Sequence, residues 1–146
     1  VVPSDADIGW QRVLLATDGS KYSKAATERA IDFAEAYGGE LMVVSVVDVP
    51  SEFYAEAPKV EDELIDKARR YMADVKKQAE AVGIKTETFV REGEAYKVIV
   101  GLAREQNINA IVMGSHGRTG LKRLLMGSVT EKVIGHAHCP VLVVRA

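Results

Sequence analysis

Residues 110–130 read AIVMGSHGRTGLKRLLMGSVT, and this segment decides the interpretation of the whole chain. Its first four residues are an apolar run typical of a buried strand. Gly114, Gly117 and Gly127 follow, and helical periodicity resumes at Val129. Glycines after a strand let backbone N–H groups approach a ligand closely, and the start of a helix adds unpaired N–H donors and the positive end of a dipole. The segment therefore predicts a phosphate-binding loop between a strand and a helix.

The charge of the same segment favours an anionic ligand. Residues 114–130 contain no Asp or Glu, whereas Arg118, Lys122 and Arg123 are present in a chain of formal net charge −2. We expect Arg118 to reach terminal phosphates, while Lys122 and Arg123 fit solvated surface charges equally well. A second interpretation treats the glycines as a tight connection, in which Ser128 and Glu131 form a capping box at the helix start.

Outward from this segment, strand-like runs alternate with helical spacing of apolar residues. The runs cover residues 12–17, 41–47, 84–90, 110–113 and 140–144, and the last helix covers residues 128–137. This alternation predicts an α/β fold: a single doubly wound, five-stranded parallel sheet in the order 3-2-1-4-5, with helices on both faces. In that order strands one and four are neighbours whose connections leave in opposite directions, and such a point forms a ligand crevice.

The helix limits are predicted from caps and glycines. Ser20 is expected to be the N-cap of a helix that follows directly and stops at Gly38, with Tyr37 inward. A second helix is expected over residues 60–82, with Val82 inward, after an irregular stretch at residues 48–58 that could border a ligand. Residues 1–9 are interpreted as a flexible leader and residues 10–146 as the domain.

Asp18 stands just beyond strand one, at the predicted crevice. A carboxylate beside phosphates would repel them, so a sugar or base hydroxyl, or a bridging metal ion, is the expected partner. An Asx turn ahead of Ser20 explains the residue equally well. The sequence leaves both interpretations open.

Several function classes are disfavoured. A pI near 6.0 argues against sequence-independent nucleic-acid binding, and no apolar run reaches the roughly 18 residues that span a bilayer. Neither a P-loop nor a dinucleotide-binding Gly-x-Gly-x-x-Gly follows a strand. His136, His138 and Cys139 cluster, but zinc sites usually need four ligands, so a structural role is favoured and no metal ligand is predicted. A lone cysteine makes the reducing cytoplasm the default location.

The chain resembles the universal stress protein family. The resemblance rests on residues 17–20 (TDGS), the spacing Gly-x2-Gly-x9-Gly-Ser that starts at Gly114, and the ending HCPVLVV at residues 138–144. It extends over residues 12–145 and identifies the ATP-binding branch of that family. Residues 10–146 are accordingly expected to be a nucleotide-binding domain of this type.

The resemblance implies a site for ATP with Mg²⁺ or Mn²⁺. Asp18 would contact ribose or adenine, and Val46 would lie against the base. Phosphates would be held by the backbone and hydroxyl groups of Gly127, Ser128, Val129 and Thr130. The predicted nucleotide-binding residues are Ala16, Thr17, Asp18, Val46, Met113, Gly114, Gly117, Arg118, Gly127, Ser128, Val129 and Thr130.

The expected function is a nucleotide-dependent switch in a stress response, with little or slow ATP hydrolysis. Hydrolysis requires a group that positions water, and no clear base is visible, so no catalytic residue is predicted. A nucleotide hydrolase or transferase, and a scaffold without a nucleotide, remain as alternatives. A homodimer is expected through Val141–Val144, because an apolar edge strand presents unpaired backbone groups.

Overall fold

The computed structural model describes residues 11–20, 23–47, 58–115 and 127–145. The predicted leader at residues 1–9 lies outside the described residues. Strands and helices alternate along the described chain: β1 (Arg12–Ala16), α1 (Lys24–Tyr37), β2 (Glu40–Val47), α2 (Pro58–Ala81), β3 (Thr86–Glu92), α3 (Ala95–Glu105), β4 (Ala110–Gly114), α4 (Ser128–His136) and β5 (Val141–Val144).

The strands form one parallel sheet in the order β3-β2-β1-β4-β5, which confirms the predicted topology. β1 is central, with Val13 beside Leu41 of β2 and Ala110 of β4. Both faces of this strand are buried, as expected for near-continuous apolar runs in a parallel sheet. The carboxyl ends of β1, β2 and β4 therefore meet at one edge of the sheet.

Helices cover both faces because neighbouring side chains in a strand point to opposite sides. Leu15 belongs to one core, shared with Ala30 of α1 and Met72 of α2. Leu14 belongs to the other core, shared with Leu102 of α3 and Val133 of α4. The helices that follow β1 and β4 thus lie on opposite faces of the sheet. The predicted crevice lies at the carboxyl ends of these two strands, where their connections leave in opposite directions.

Some predicted limits were wrong by one to three residues. β3 covers Thr86–Glu92 rather than residues 84–90, because Ile84 ends the turn that closes α2, with its N–H donating to Ala79. α2 begins at Pro58, which the prediction placed in the irregular stretch. Residues 48–57 of that stretch lie outside the described part of the chain.

The start of α1 also differs from the prediction. Its N-cap is Ser23, not Ser20, and the Ser23 hydroxyl donates to the Ser20 carbonyl rather than to the helix. Gly38 does end the helix in the left-handed conformation, as predicted. Tyr37 and Val82 were predicted to point inward but are 60% and 47% exposed, because Tyr37 is the last residue of α1 and Val82 follows the last residue of α2. Within the described ranges, none of the helices is both long and apolar enough to cross a membrane.

Candidate functional site

A cleft of about 300 Å³ opens at the carboxyl ends of β1, β2 and β4. Ligand pockets for small molecules begin at about this size. The cleft lies on the α3/α4 face of the sheet, since its floor belongs to the core on that side. The lining residues are Ala16, Thr17, Asp18, Ser23, Val44, Val46, Ala95, Ile99, Met113, Gly114, Gly127, Ser128, Val129 and Thr130.

One side of the cleft is apolar. Val44 and Val46 lie two residues apart on β2 and so face the same side, towards Ile99 of α3. Met113 of β4 and Ala95, the first residue of α3, complete this wall. Its chemistry suits a flat, weakly polar ring system.

The opposite side is formed by the start of α4. Gly127 caps the helix in an extended conformation, with φ −62° and ψ 156°, and Ser128 is the first helical residue. The N–H groups of the first helical turn have no acceptor within the helix, and they carry the positive end of its dipole. This turn lines the cleft, so it offers amide donors to an anion.

Two hydrogen bonds fix α4 to β4 at this point. The Gly127 N–H donates to the Ser115 carbonyl at 2.8 Å, and the Thr130 hydroxyl donates to the Gly114 carbonyl at 3.0 Å. Thr130 is only 3% exposed. Because its hydroxyl proton is used in this way, Thr130 can donate to a ligand only through its backbone N–H.

The capping box was not found. Gly127 occupies the N-cap position, no side chain caps the helix, and Ser128 lies one residue further on. The S-x-x-E pattern therefore does not describe this helix start. Glu131 still lies in the first turn, where its charge favours the dipole.

Replacing Ser128 by alanine is expected to change the free energy of unfolding by less than about 0.5 kcal/mol, because Ser128 is exposed and caps nothing. Urea denaturation followed by circular dichroism checks this value. A loss near 1 kcal/mol, as for a true N-cap serine, would show that the side chain caps the helix in solution. Thr130→Val is the contrasting variant, since it removes the buried hydrogen bond to Gly114 and should cost about 1 kcal/mol or more.

The turn that follows β1 contains the predicted Asx turn and leaves room for the ligand role of Asp18. The Asp18 Oδ1 atom accepts from the Ser20 N–H at 2.9 Å, which is an Asx turn, and the residue also lines the cleft. The Thr17 hydroxyl accepts from the Gly19 N–H at 3.2 Å. A carboxylate has about four acceptor positions, so Asp18 keeps acceptor capacity for a ligand hydroxyl.

The structure brings most of the predicted site residues together. Ala16, Thr17, Asp18, Val46, Met113, Gly114, Gly127, Ser128, Val129 and Thr130 all line the cleft. Gly117 and Arg118 lie outside the described residues. The sequence analysis missed Ser23, Val44, Ala95 and Ile99. Val44 could have been predicted from its position two residues before Val46 on the same strand. Ile99, in contrast, fits the pattern of an ordinary core residue of an amphipathic helix.

Two members of the cluster near the last strand, Cys139 and His136, have ordinary structural surroundings. Cys139 is buried, and desolvation raises the pKa of its thiol to about 11, so the thiol is protonated at neutral pH. The His136 ring packs against Tyr96 in a tilted arrangement, with 5.1 Å between ring centroids. Across the described residues, no three His, Cys, Asp or Glu side chains are grouped so that they could hold a metal ion.

Comparison with known proteins agrees with this fold. The family model described as "Universal stress protein family" matches residues 9–145. This chain belongs to the universal stress protein family. Universal stress protein MJ0531 of Methanocaldococcus jannaschii is 40% identical over an alignment of 141 positions, and the alignment covers 93% of this chain and 82% of that protein.

Solved structures of universal stress proteins share the whole fold. That of MJ0577, from the same organism, superposes with a TM-score of 0.80 at 33% identity and covers 94% of this chain and 96% of its own. A universal stress protein solved in complex with cAMP superposes with a TM-score of 0.73 at 27% identity, and covers 92% of this chain and 97% of its own. Members of this family therefore include a nucleotide-binding protein.

Proposed function

We propose that this universal stress protein binds an adenine nucleotide in the cleft between α3 and α4, with ATP as the first candidate. The observation that carries the proposal is that one cleft joins an apolar wall to the amide donors of a helix start. A nucleotide has the same division, with an aromatic base at one end and phosphates at the other. The relative solved with cAMP supports an adenine nucleotide as the ligand.

Each part of the cleft then has a role. Val46 and Met113 lie against the base, and Asp18 accepts a hydrogen bond from the ribose or the base. The backbone N–H groups of Ser128, Val129 and Thr130 hold phosphate oxygens, as helix starts do in other phosphate sites. Gly127, whose own N–H is bound to the Ser115 carbonyl, lets the phosphates approach the backbone closely. Gly114 leaves room for the sugar, and Gly117 and Arg118 of the adjoining segment are proposed to complete the phosphate site.

A divalent ion would come with the nucleotide. Asp18 is the one carboxylate among the described residues that line the cleft, so Mg²⁺ or Mn²⁺ would take most of its ligands from phosphate oxygens and water. Mg²⁺ is commonly held in this way in nucleotide sites. The ion would neutralise phosphate charge beside Asp18.

We infer a nucleotide-dependent switch rather than a fast enzyme. Phosphoryl transfer needs a residue that positions the attacking group and a cation that stabilises the transferring phosphate. Among the described lining residues, Asp18 is the one ionisable side chain, and it is already hydrogen-bonded within its own turn. Phosphate release measured over hours separates this proposal from a hydrolase, which would turn over steadily.

A homodimer through β5 is part of the proposal. The N–H of Ile111 donates to Pro140, and the N–H of Ser115 donates to Val144. Backbone groups alternate sides along a strand, so Val143, between them, directs its N–H and C=O towards the open edge. The β3 edge instead exposes Glu87, Arg91 and Glu92, which protects it from pairing. The apolar β5 edge is therefore the one suited to a second copy.

The test of nucleotide binding is Val46→Trp with isothermal titration of ATP and Mg²⁺. The indole would occupy the apolar wall, so we expect the affinity to fall by at least about tenfold, the loss of roughly 1.4 kcal/mol of binding energy. The unchanged protein should give a saturable heat. If it gives none, the proposed function is wrong.

Val82→Trp is the matched control for this titration. Val82 lies just after α2, at the opposite end of the sheet from the cleft, and is partly exposed, so the same change should leave ATP affinity within about twofold. Equal losses in the two variants would show that the heat does not report on the cleft. Mass spectrometry of the small molecules released by denaturing the purified protein identifies the natural ligand.

A further inference from the structure

Tyr71 of α2 lies against the turn that carries Asp18, although α2 covers the face of the sheet opposite the cleft. A Cβ atom added to Gly19 would stand 2.3 Å from the Tyr71 Cε1 atom. The backbone of the turn is therefore in direct contact with the aromatic ring. The three heavy atoms nearest to that position all belong to the Tyr71 ring, so the ring supports the turn from behind.

The Tyr71 hydroxyl also joins two strands that line the cleft. It is hydrogen-bonded to the Ser45 hydroxyl, and it donates to the Thr17 carbonyl at 3.5 Å. A phenol has a single proton, so the proton given to Thr17 leaves the Ser45 hydroxyl as the donor to Tyr71. Ser45 is 2% exposed and lies between Val44 and Val46, the two β2 residues of the apolar wall.

This contact reaches Asp18 through the backbone. The Thr17 N–H donates to the Val44 carbonyl at 3.0 Å, so both ends of the Thr17 residue are fixed, one by β2 and the other by Tyr71. The next residue is Asp18, whose Oδ1 atom is bound to the Ser20 N–H. The direction of the carboxylate thus follows the backbone of the turn.

We propose that Tyr71 is a positioning residue for nucleotide affinity: through Thr17 it sets where the Asp18 carboxylate stands in the cleft. This inference rests on the proposed function, because it concerns a ligand hydrogen bond made by Asp18. The proposal gives α2 a role in nucleotide binding, although none of the cleft-lining residues in the described ranges belongs to this helix. The hydroxyl of Tyr71 fixes the Thr17 carbonyl, while its ring supports the turn.

The experiment is a double-mutant cycle between Tyr71→Phe and Asp18→Asn, with ATP and Mg²⁺ as the probe in isothermal titration. Loss of the Tyr71 hydroxyl should weaken ATP binding by about threefold to tenfold when Asp18 is present, as for one net hydrogen bond. In the Asp18→Asn background the same change should cost less than about twofold, because the group that Tyr71 positions has lost its charge.

Two further variants separate positioning from folding. Ser45→Ala removes the hydroxyl that is hydrogen-bonded to Tyr71, and it should weaken ATP binding in the same Asp18-dependent way. Tyr37→Phe deletes a phenol hydroxyl at an exposed site on α1 and should leave ATP affinity unchanged. All titrations are made at a temperature where urea denaturation shows each variant fully folded.

The outcomes are distinguishable. Absence of ATP binding by the unchanged protein would overturn the proposed function. If the unchanged protein binds ATP, an equal loss for Tyr71→Phe with and without Asp18, no loss for Tyr71→Phe, or no effect of Asp18→Asn alone would each overturn the role of Tyr71. A loss that appears only with Asp18 present supports it.

Discussion

Gly19→Ala is expected to lower the free energy of unfolding by about 3 kcal/mol and to weaken ATP binding at least tenfold. Gly19 has φ +74°, where a side chain is strained, and the added Cβ would stand 2.3 Å from Cε1 of Tyr71. The turn, the tyrosine ring or both must move, and Asp18 lies in that turn. Urea denaturation and isothermal titration measure the two effects.

Gly38→Ala is the matched control because it isolates the cost of the backbone conformation. Gly38 has φ +64°, and nothing lies within 4 Å of the added Cβ. It should therefore cost only the left-handed term, about 1–2 kcal/mol, and leave ATP affinity unchanged. If the two alanine variants lose the same stability, the contact between Gly19 and Tyr71 is not tight in solution.

Val143→Pro is expected to convert the proposed homodimer into a monomer. Proline removes the N–H that Val143 directs towards the open edge, while the hydrogen bonds of Pro140 and Val144 to β4 remain. The dissociation constant of the dimer should rise by two orders of magnitude or more, as expected when an edge strand loses a central donor and its flat geometry. Sedimentation velocity over a concentration series measures this shift.

Thr88→Pro is the control at the opposite edge. The Leu41 N–H donates to the Lys85 carbonyl, and the Gly93 N–H donates to the Val47 carbonyl. The backbone N–H and C=O groups of odd-numbered β3 residues therefore point towards β2, and those of Thr88 point outward. Its change to proline should leave the oligomeric state as it was. A monomeric unchanged protein, or a Val143→Pro variant that remains dimeric, would contradict pairing through β5.

Much of the fold was predictable because its determinants are local or periodic. The apolar run at β4 and the alternation of strands with helices led to the sheet order that the structure has. The glycine spacing located the helix start at Ser128 and the crevice beside it. Val46 was also predicted, although a run of valines gives no internal landmark for its register.

The errors lie where two local explanations compete. Ser128 fits a capping box by spacing, yet the N-cap is Gly127, whose N–H is bound to the Ser115 carbonyl. Ser20 fits an N-cap for the same reason, but the Asx turn with Asp18 displaces the helix start to Ser23. Spacing alone does not decide between such caps, since the choice depends on hydrogen bonds outside the local segment.

The sequence by itself determined the parallel sheet, the position of the crevice and the membership of the family, because periodicity and glycine spacing are properties of the chain order. Only the tertiary structure showed that Ile99 faces the cleft, that the Thr130 hydroxyl donates to the Gly114 carbonyl, and that Tyr71 supports the Asp18 turn. These contacts join residues up to 54 positions apart. Their partners are fixed by how the helices pack on the sheet, which no local pattern encodes.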